Sequence, residues 1–561
     1  MRSRRRARSL LSAAIGALIC AGLVAGAVSP VWAGEADPRG RGGWPAGGFS
    51  IGDGVEGLID EASGALSFTM PVGGVGLQWA SRSAGRDRFG FGGGWSVAGV
   101  GFVDVSGGIR VFPARGDVFA VDDTVTSGLR GYELGDLRFE QVSGVVPARS
   151  DGAVGERWHA FRLLELGGAV SYFDAAGNPL VRIDRFGART DWEWADTASH
   201  RLQRVVSPVG VVTALGWSDP DRVTVSTHAG SGPGPVWTVE RDGGRLVGVL
   251  EPGRAHTRVT YTEQGLVSRV STASGAATEV TWRPSPGGAT TVERVRIVDQ
   301  STGAVVSERS WSLVTGSASG WPIVHDATAA SARSAASPGF STAVSDGVTR
   351  VVSEYGGDGS VTTRRVVAGS AAGDLVLHEQ AFAYPDRGGG TAVRGAAPER
   401  VVVTYSDEAG RRRVAEERFT SDAFGRVLEH ASADGTVTAT AYDPEPGAHA
   451  MPVGLPVLER TVAPDGAISE SRHELNAART AVTATETWTG TEPAGLTRAG
   501  RVEFEVAHDG FVTVERMFPQ GGEGHPVVTV RDRVIDHHAG RVRVTETVAA
   551  GTASAATTVT E

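Results

Sequence analysis

Residues 172–187 read Tyr172-Phe173-Asp174-Ala175-Ala176-Gly177-Asn178-Pro179-Leu180-Val181-Arg182-Ile183-Asp184-Arg185-Phe186-Gly187, and Trp194 follows seven positions past the last glycine. From Leu180 apolar and polar residues alternate, as a half-buried strand requires. The Asp-x-x-Gly that follows makes a tight turn, because glycine takes a positive φ without steric cost. The next strand ends in an aromatic ring, which buries a large area against its neighbour. Each unit is thus a β-hairpin. A lone hairpin is marginal in water, so the units must stack side by side.

The register recurs along the chain, at the 20–25-residue spacing expected of a stacked array. Leu202 leads to Gly210 and Trp217, Leu246 to Gly253 and Tyr261, and Leu266 to Gly275 and Trp282. Val427 leads to Gly435 and Tyr442, and Leu458 to Gly466 and His473. Few windows support a long amphipathic helix.

Composition agrees with an all-β chain. Valine leads the apolar set, threonine and tryptophan are frequent, and glycine stands at 78 of 561 residues. At this length several domains or one repeat array are expected. All 54 basic residues are arginine, which fits a GC-rich bacterial coding bias. Without lysine there is neither a phosphate-loop lysine nor a Schiff base. Formal charge is −10, and −15 once the arginine-rich first 33 residues are set aside. An acidic body is a poor partner for nucleic acid, whose phosphates need a positive patch.

Residues 1–33 have the pattern of a secretory signal peptide. Arg2, Arg4, Arg5, Arg6 and Arg8 form the charged region, and Leu10 to Val28 the apolar one. Val31-Trp32-Ala33 places cleavage between Ala33 and Gly34. An uncleaved anchor is the competing reading, but glycine and alanine make the run weakly hydrophobic, and no stable membrane span is expected after cleavage. Cys20, the single cysteine, lies inside this segment, so the mature chain has no disulfide and no thiolate metal site. The chain is expected to be secreted or wall-associated.

The organisation expected is a signal peptide over 1–33, a leader over 34–48, an N-terminal β-domain over 49–166, a first hairpin array over 167–316, an Ala/Ser-rich linker or loop over 317–345 with a possible short helix at 328–336, and a degenerate second array over 346–561.

Tyr172 to Leu180 resembles the Y-x-D-x-x-G-x-L core of the YD-repeat family, which includes Rhs, wall-associated and toxin-complex proteins, with one extra residue before the leucine. Asp184 to Gly187 is similar to its next turn, and Phe419 to Leu428 repeats the theme. Ser63 to Pro71, Leu77 to Arg82 and Phe91-Gly92-Gly93-Gly94-Trp95-Ser96-Val97 resemble the segment that opens many such proteins. The resemblance covers about 50–290 and 400–475. It implies repeats wound into a hollow β-shell that encloses a toxin or mediates surface contact. The family's shell-closing P-x-x-x-x-D-P-x-G motif is not found, so the resemblance implies a truncated member, half of a split shell or a standalone surface module.

Constellations with chemistry are few. Asp536-His537-His538-Ala539-Gly540 reads as a repeat turn, because neighbouring strand residues point to opposite faces. His378-Glu379 lacks a second histidine. Gly92-Gly93-Gly94 reads as a close backbone crossing and not a phosphate loop. Asp122-Asp123 reads as a turn. Trp79 and Trp95 are the candidates for a sugar platform. No cofactor and no metal are expected. The function expected is a non-catalytic scaffold for surface contact or cargo enclosure, with another YD-repeat chain, a toxin cargo or cell-surface carbohydrate as partner. The alternatives are an N-terminal fragment or partner of a polymorphic toxin used in bacterial competition, and a carbohydrate-active enzyme whose site the sequence does not reveal.

Overall fold

The computed structural model describes residues 47–113, 119–121, 128–129, 132, 134–148, 156–195, 200–208, 210–228, 234–253, 256–284, 290–315, 339–346, 348–356, 360–368, 375–385, 397–406, 410–444, 451, 453–507, 510–518, 526–536, 541–548 and 556–560. The signal segment, the cleavage residues Ala33 and Gly34, most of the leader, the helix expected at 328–336, Asp122-Asp123 and the pair His537-His538 lie outside the described residues. The described chain is all-β, with two three-residue 3-10 turns, Ser81–Ser83 and Pro493–Gly495.

Four sheets form. The first is a five-stranded antiparallel meander, Gly47–Gly52, Val55–Ile59, Leu66–Val72, Val75–Ala80 and Trp95–Val97. Its alternation is strict: Leu66, Phe68, Met70 and Val72 are buried while the residues between them are not. Pairing sets Phe68 opposite Trp79 and Met70 opposite Leu77, so one face carries a continuous apolar surface. Two small sheets follow, Phe102–Asp104 with Arg110–Phe112 and Phe119–Ala120, and Gly144–Val145 with Trp158–His159.

The fourth sheet holds 31 of the described strands. Leu137–Glu140 pairs with Phe161–Glu165, and from there each strand pairs antiparallel with the next as far as Ala556–Thr560. Three strands of this ladder come from stretches that the sequence assigns elsewhere. Leu137–Glu140 and Phe161–Glu165 lie within the N-terminal stretch, and Phe340–Ser345 within the Ala/Ser-rich one. Phe340–Ser345 pairs with Val305–Thr315 on one side and Thr349–Tyr355 on the other, so the two arrays are one sheet.

Many of the turns between strands share one hydrogen-bond plan. At Asp184 the backbone N–H donates to the Ala188 carbonyl at 3.0 Å, and the Gly187 N–H donates to the Asp184 carbonyl at 3.0 Å. The Asp184 carboxylate accepts from the Phe186 and Ala188 N–H groups at 2.9 and 2.8 Å. Asp174 and Asp422 repeat this, and Ser207 and Thr262 substitute with a hydroxyl acceptor. Gly177, Gly187, Gly210, Gly253, Gly275 and Gly435 all stand at φ between 74° and 88°. An L side chain there would be strained, which explains the glycine period.

The main core lies between the five-stranded meander and the facing strands of the ladder. Phe68, Leu77, Trp79 and Trp95 meet Val223, Val239, Val259, Val270 and Val295 in one cluster. Each fully buried side chain of this size contributes roughly 1.5–3 kcal/mol relative to exposure.

Candidate functional site

The repeat aromatics occupy one structural position. Trp194 lies at a register shift against its partner strand, as do Tyr261, Trp282 and Tyr442, and the shift at Gly216/Asp219 brackets Trp217. In the first unit the ring at the shift is Phe173, which is buried, and the neighbouring Tyr172 sets its edge on His159 at 5.1 Å. A bulge bends the strand and re-aims a side chain. The re-aimed ring reaches back over its own hairpin. Trp194 Nε1 donates to the Pro179 carbonyl at 2.8 Å, Trp217 Nε1 to Leu202 at 2.6 Å, and Trp282 Nε1 to Val267 at 2.8 Å. The Tyr261 hydroxyl donates to the Leu246 carbonyl. In all four the acceptor lies 15 residues before the donor. Tyr442 sits instead under the Arg426 guanidinium, 4.6 Å from its ring centre.

Each of these four rings is met by a ring of the N-terminal domain. Phe89 lies 5.4 Å from Trp194, Phe91 lies 5.5 Å from Trp217, and Trp79 is edge-on to Trp282 at 6.2 Å. The Trp95 indole N–H donates to the Tyr261 hydroxyl oxygen at 2.8 Å. Burial pushes the Tyr261 phenol up to about 12, against the opposing effects of the Trp95 hydrogen bond and the Arg245 charge. The segment Phe89 to Trp95 therefore lies along the row of repeat rings. It needs glycine to do so: a Cβ on Gly92 would stand 2.5 Å from the Gly244 carbonyl oxygen, and one on Gly94 2.5 Å from Trp79 Nε1. Trp79 and Trp95 are 0% and 1% exposed, which removes both as sugar platforms. Their rings are spent on packing.

The two faces of the ladder differ in chemistry. One face carries cross-strand Arg–Glu pairs along its length. Examples are Arg204–Glu193 at 3.0 Å, Arg269–Glu279 at 3.0 Å, Arg296–Glu308 at 2.6 Å and Arg365 between Glu354 and Glu379 at 2.7 and 2.9 Å. Further on, Glu470 lies between Arg460 and Arg472 at 2.5 and 2.7 Å. Burial acts to raise the Glu470 carboxyl, but hydrogen bonds from the two arginines hold it below its ordinary value.

The opposite face begins apolar and is covered by the meander as far as Trp311, Val344 and, under the turn at Ala62, Phe340 and Tyr355. The register carries the same face onward from Val344 to Val351, Val366, His378 and Tyr405. There its composition changes. Phe419 stacks on His430 at 4.6 Å, Thr438 meets Thr461 at 3.1 Å between hydroxyls, and His473 bonds Thr485 at 2.9 Å. Tyr405, Ser469, Ser471 and Thr487 continue this hydroxyl-rich surface, half-buried or exposed. Sequence reading missed this division, although the loss of valine and the gain of threonine on alternate positions after residue 430 is a usable signal.

Among the described residues no group of three or more His, Cys, Asp or Glu converges as a metal site would require. His378 and Glu379 point to opposite faces of Leu375–Ala383, and Glu379 is engaged by Arg365. No described helix is long and apolar enough to cross a membrane.

No protein-family profile matches the chain, and no curated protein matches it. Among solved structures it is similar to TcdB2-TccC3-Cdc42, with 10% identity and a TM-score of 0.34 over 86% of this chain and 27% of that one. It is similar to the Photorhabdus luminescens Tc holotoxin pore, with 11% identity and a TM-score of 0.33 over 80% and 26%. A porin-like protein from Bacteroides uniformis gives 11% identity and a TM-score of 0.20 over 39% and 89%. The chain spans about a quarter of the length of the two toxin-complex chains. At TM-scores below 0.5 the architecture rests on the chain's own strand pairings, and those place it in the all-β class as a β-meander docked on a continuous hairpin ladder.

Proposed function

We propose that this chain is an exported, non-catalytic scaffold, a wall segment that encloses a cargo or presents a surface to another cell. The observation that carries the reading is the single ladder face described above. Its first half is apolar and filled by the chain's own N-terminal meander, and further on the strands Val437–Tyr442 to Val482–Gly490 carry a hydroxyl-rich stretch that is half-buried or exposed. A sheet of this extent with one chemically distinct exposed stretch is suited to lie against a large partner. A second strand-ladder chain, a protein cargo or a cell-surface glycan fits that stretch, and the acidic charge argues against nucleic acid.

The test is electron microscopy of the secreted protein, alone and co-expressed with the products of adjacent reading frames. The reading expects a curved wall or hollow particle whose open side gains density with a partner. A closed particle that gains no density from any partner, or purified protein that hydrolyses polysaccharide, would overturn it. N-terminal sequencing of the secreted form should begin at Gly34.

A further inference from the structure

The turn at residues 60–65, between Val55–Ile59 and Leu66–Val72, is the only described part of the meander whose bonds cross to the ladder where its covered face ends. Trp311 Nε1 donates to the Glu61 carbonyl at 2.7 Å, and the Val292 N–H donates to the Gly64 carbonyl at 2.9 Å. Ala62 packs with Phe340 and Tyr355. A Cβ on Gly64 would stand 2.7 Å from the Trp311 ring, so the turn is fitted closely to its seat. Inside the turn, Asp60 Oδ1 accepts from the Ser63 N–H and hydroxyl at 2.8 and 2.6 Å, which holds the Glu61 side chain toward the ladder.

Glu61 is 5% exposed, yet its carboxyl is poorly compensated. Arg364 and Ser353 approach its two oxygens at 3.4 Å each. A charge-assisted hydrogen bond that offsets desolvation is shorter, about 2.7–2.9 Å. Among the described residues, the other groups that act on it add no positive charge. Asp60 is acidic, Tyr355 is a buried phenol, and Thr342, Phe340 and Trp311 are neutral. A carboxylate in this seat loses more hydration than it regains, whereas a carboxylic acid does not.

We propose that residues 60–65 form a proton-dependent latch, in which protonated Glu61 holds the N-terminal meander on the strands Val305–Thr315 to Val361–Ala368 and ionised Glu61 weakens that hold. Burial pushes the Glu61 carboxyl up to about 7, opposed by the Arg364 charge and reinforced by Asp60. The docked turn therefore keeps its proton to a higher pH than the released turn, whose carboxyl has the ordinary value of 4.5. Docking is at full strength below 4.5, weakens between 4.5 and about 7, and stays constant above that. Release would uncover Trp311, Phe340 and Tyr355.

Hydrogen–deuterium exchange on the full chain tests this, with intrinsic rates corrected for pH. The latch expects protection in peptides covering residues 60–65 and 305–315 to fall by up to about two orders of magnitude from pH 4.5 to 7 and then to level off. A peptide around Tyr261 should hold steady over the same range, which separates release from global unfolding. Glu61→Gln should abolish the slope. Should that variant not fold, the wild-type pH series decides alone. Constant protection of residues 60–65 from pH 4.5 to 8, or a Glu61→Gln protein that keeps the wild-type slope, overturns the latch.

Discussion

The indole nitrogen of Trp95 donates to the phenol oxygen of Tyr261 at 2.8 Å, and that phenol donates in turn to the carbonyl of Leu246. Residues 166 positions apart in sequence thus share one relay that ties the N-terminal meander to a repeat hairpin. Tyr261→Phe keeps the ring and removes the relay. It leaves a buried indole N–H and a carbonyl without their partner, at about 1–3 kcal/mol for each unsatisfied group. Denaturant unfolding of the mature protein should show a correspondingly lower midpoint. The wild type should also lose stability between pH 10 and about 12, because the docked phenol keeps its proton longer than the unfolded one. An alkaline titration in which Tyr261→Phe loses as much as wild type would contradict this.

Trp282→Phe addresses the clamp within one hairpin. The ring stays, but the Val267 carbonyl loses its donor, which costs about 1–3 kcal/mol. Trp158→Phe is the matched control, since Trp158 is 65% exposed, and its urea midpoint should not move.

Gly92→Ala should undock the meander. Its φ is 104° and the new Cβ would stand 2.5 Å from the Gly244 oxygen. Backbone strain and a forced shift together cost about 3 kcal/mol or more. Gly85→Ala meets nothing within 4 Å and should be neutral. Limited proteolysis between residues 98 and 160 should speed up in the first variant and not in the second.

Asp191 is fully buried and bound by Arg189 at 2.7 and 2.8 Å and by Arg157. Arg157 also donates to the carbonyls of Leu180 and Trp192 at 3.1 and 2.9 Å, so the cluster fastens two neighbouring strands to the segment that precedes Trp158–His159. Asp191→Ala strands two guanidinium groups and should cost about 3–5 kcal/mol. Burial acts to raise the Asp191 carboxyl, but the two arginines hold it below its ordinary value of 3.8. Its contribution is therefore complete above pH 3.8 and fades as acid protonates the folded form. Acid unfolding curves of Asp191→Ala and wild type should converge at the lowest pH, and parallel curves would count against the assignment.

The alternation of Leu66–Val72, the Asp184 turn and the spacing from Gly275 to Trp282 are local properties. Side-chain period, the cost of positive φ and the need of a lone hairpin for a neighbour are all decided within some twenty residues, so the sequence by itself determined an all-β array and the positions of its turns and rings. It did not determine where the Trp282 N–H goes, because a one-residue register shift at Thr281/Trp282 re-aims the ring and the sequence shows no mark of it. Nor did it determine that Phe89, Phe91 and Trp95 would each meet a particular repeat ring, or that Glu61 would be buried beside Arg364. Those contacts join segments a hundred to three hundred residues apart. Only the tertiary structure decided them, since burial, and with it the state of a carboxyl or the worth of a hydrogen bond, is a property of the packed assembly and not of the strand that carries the residue.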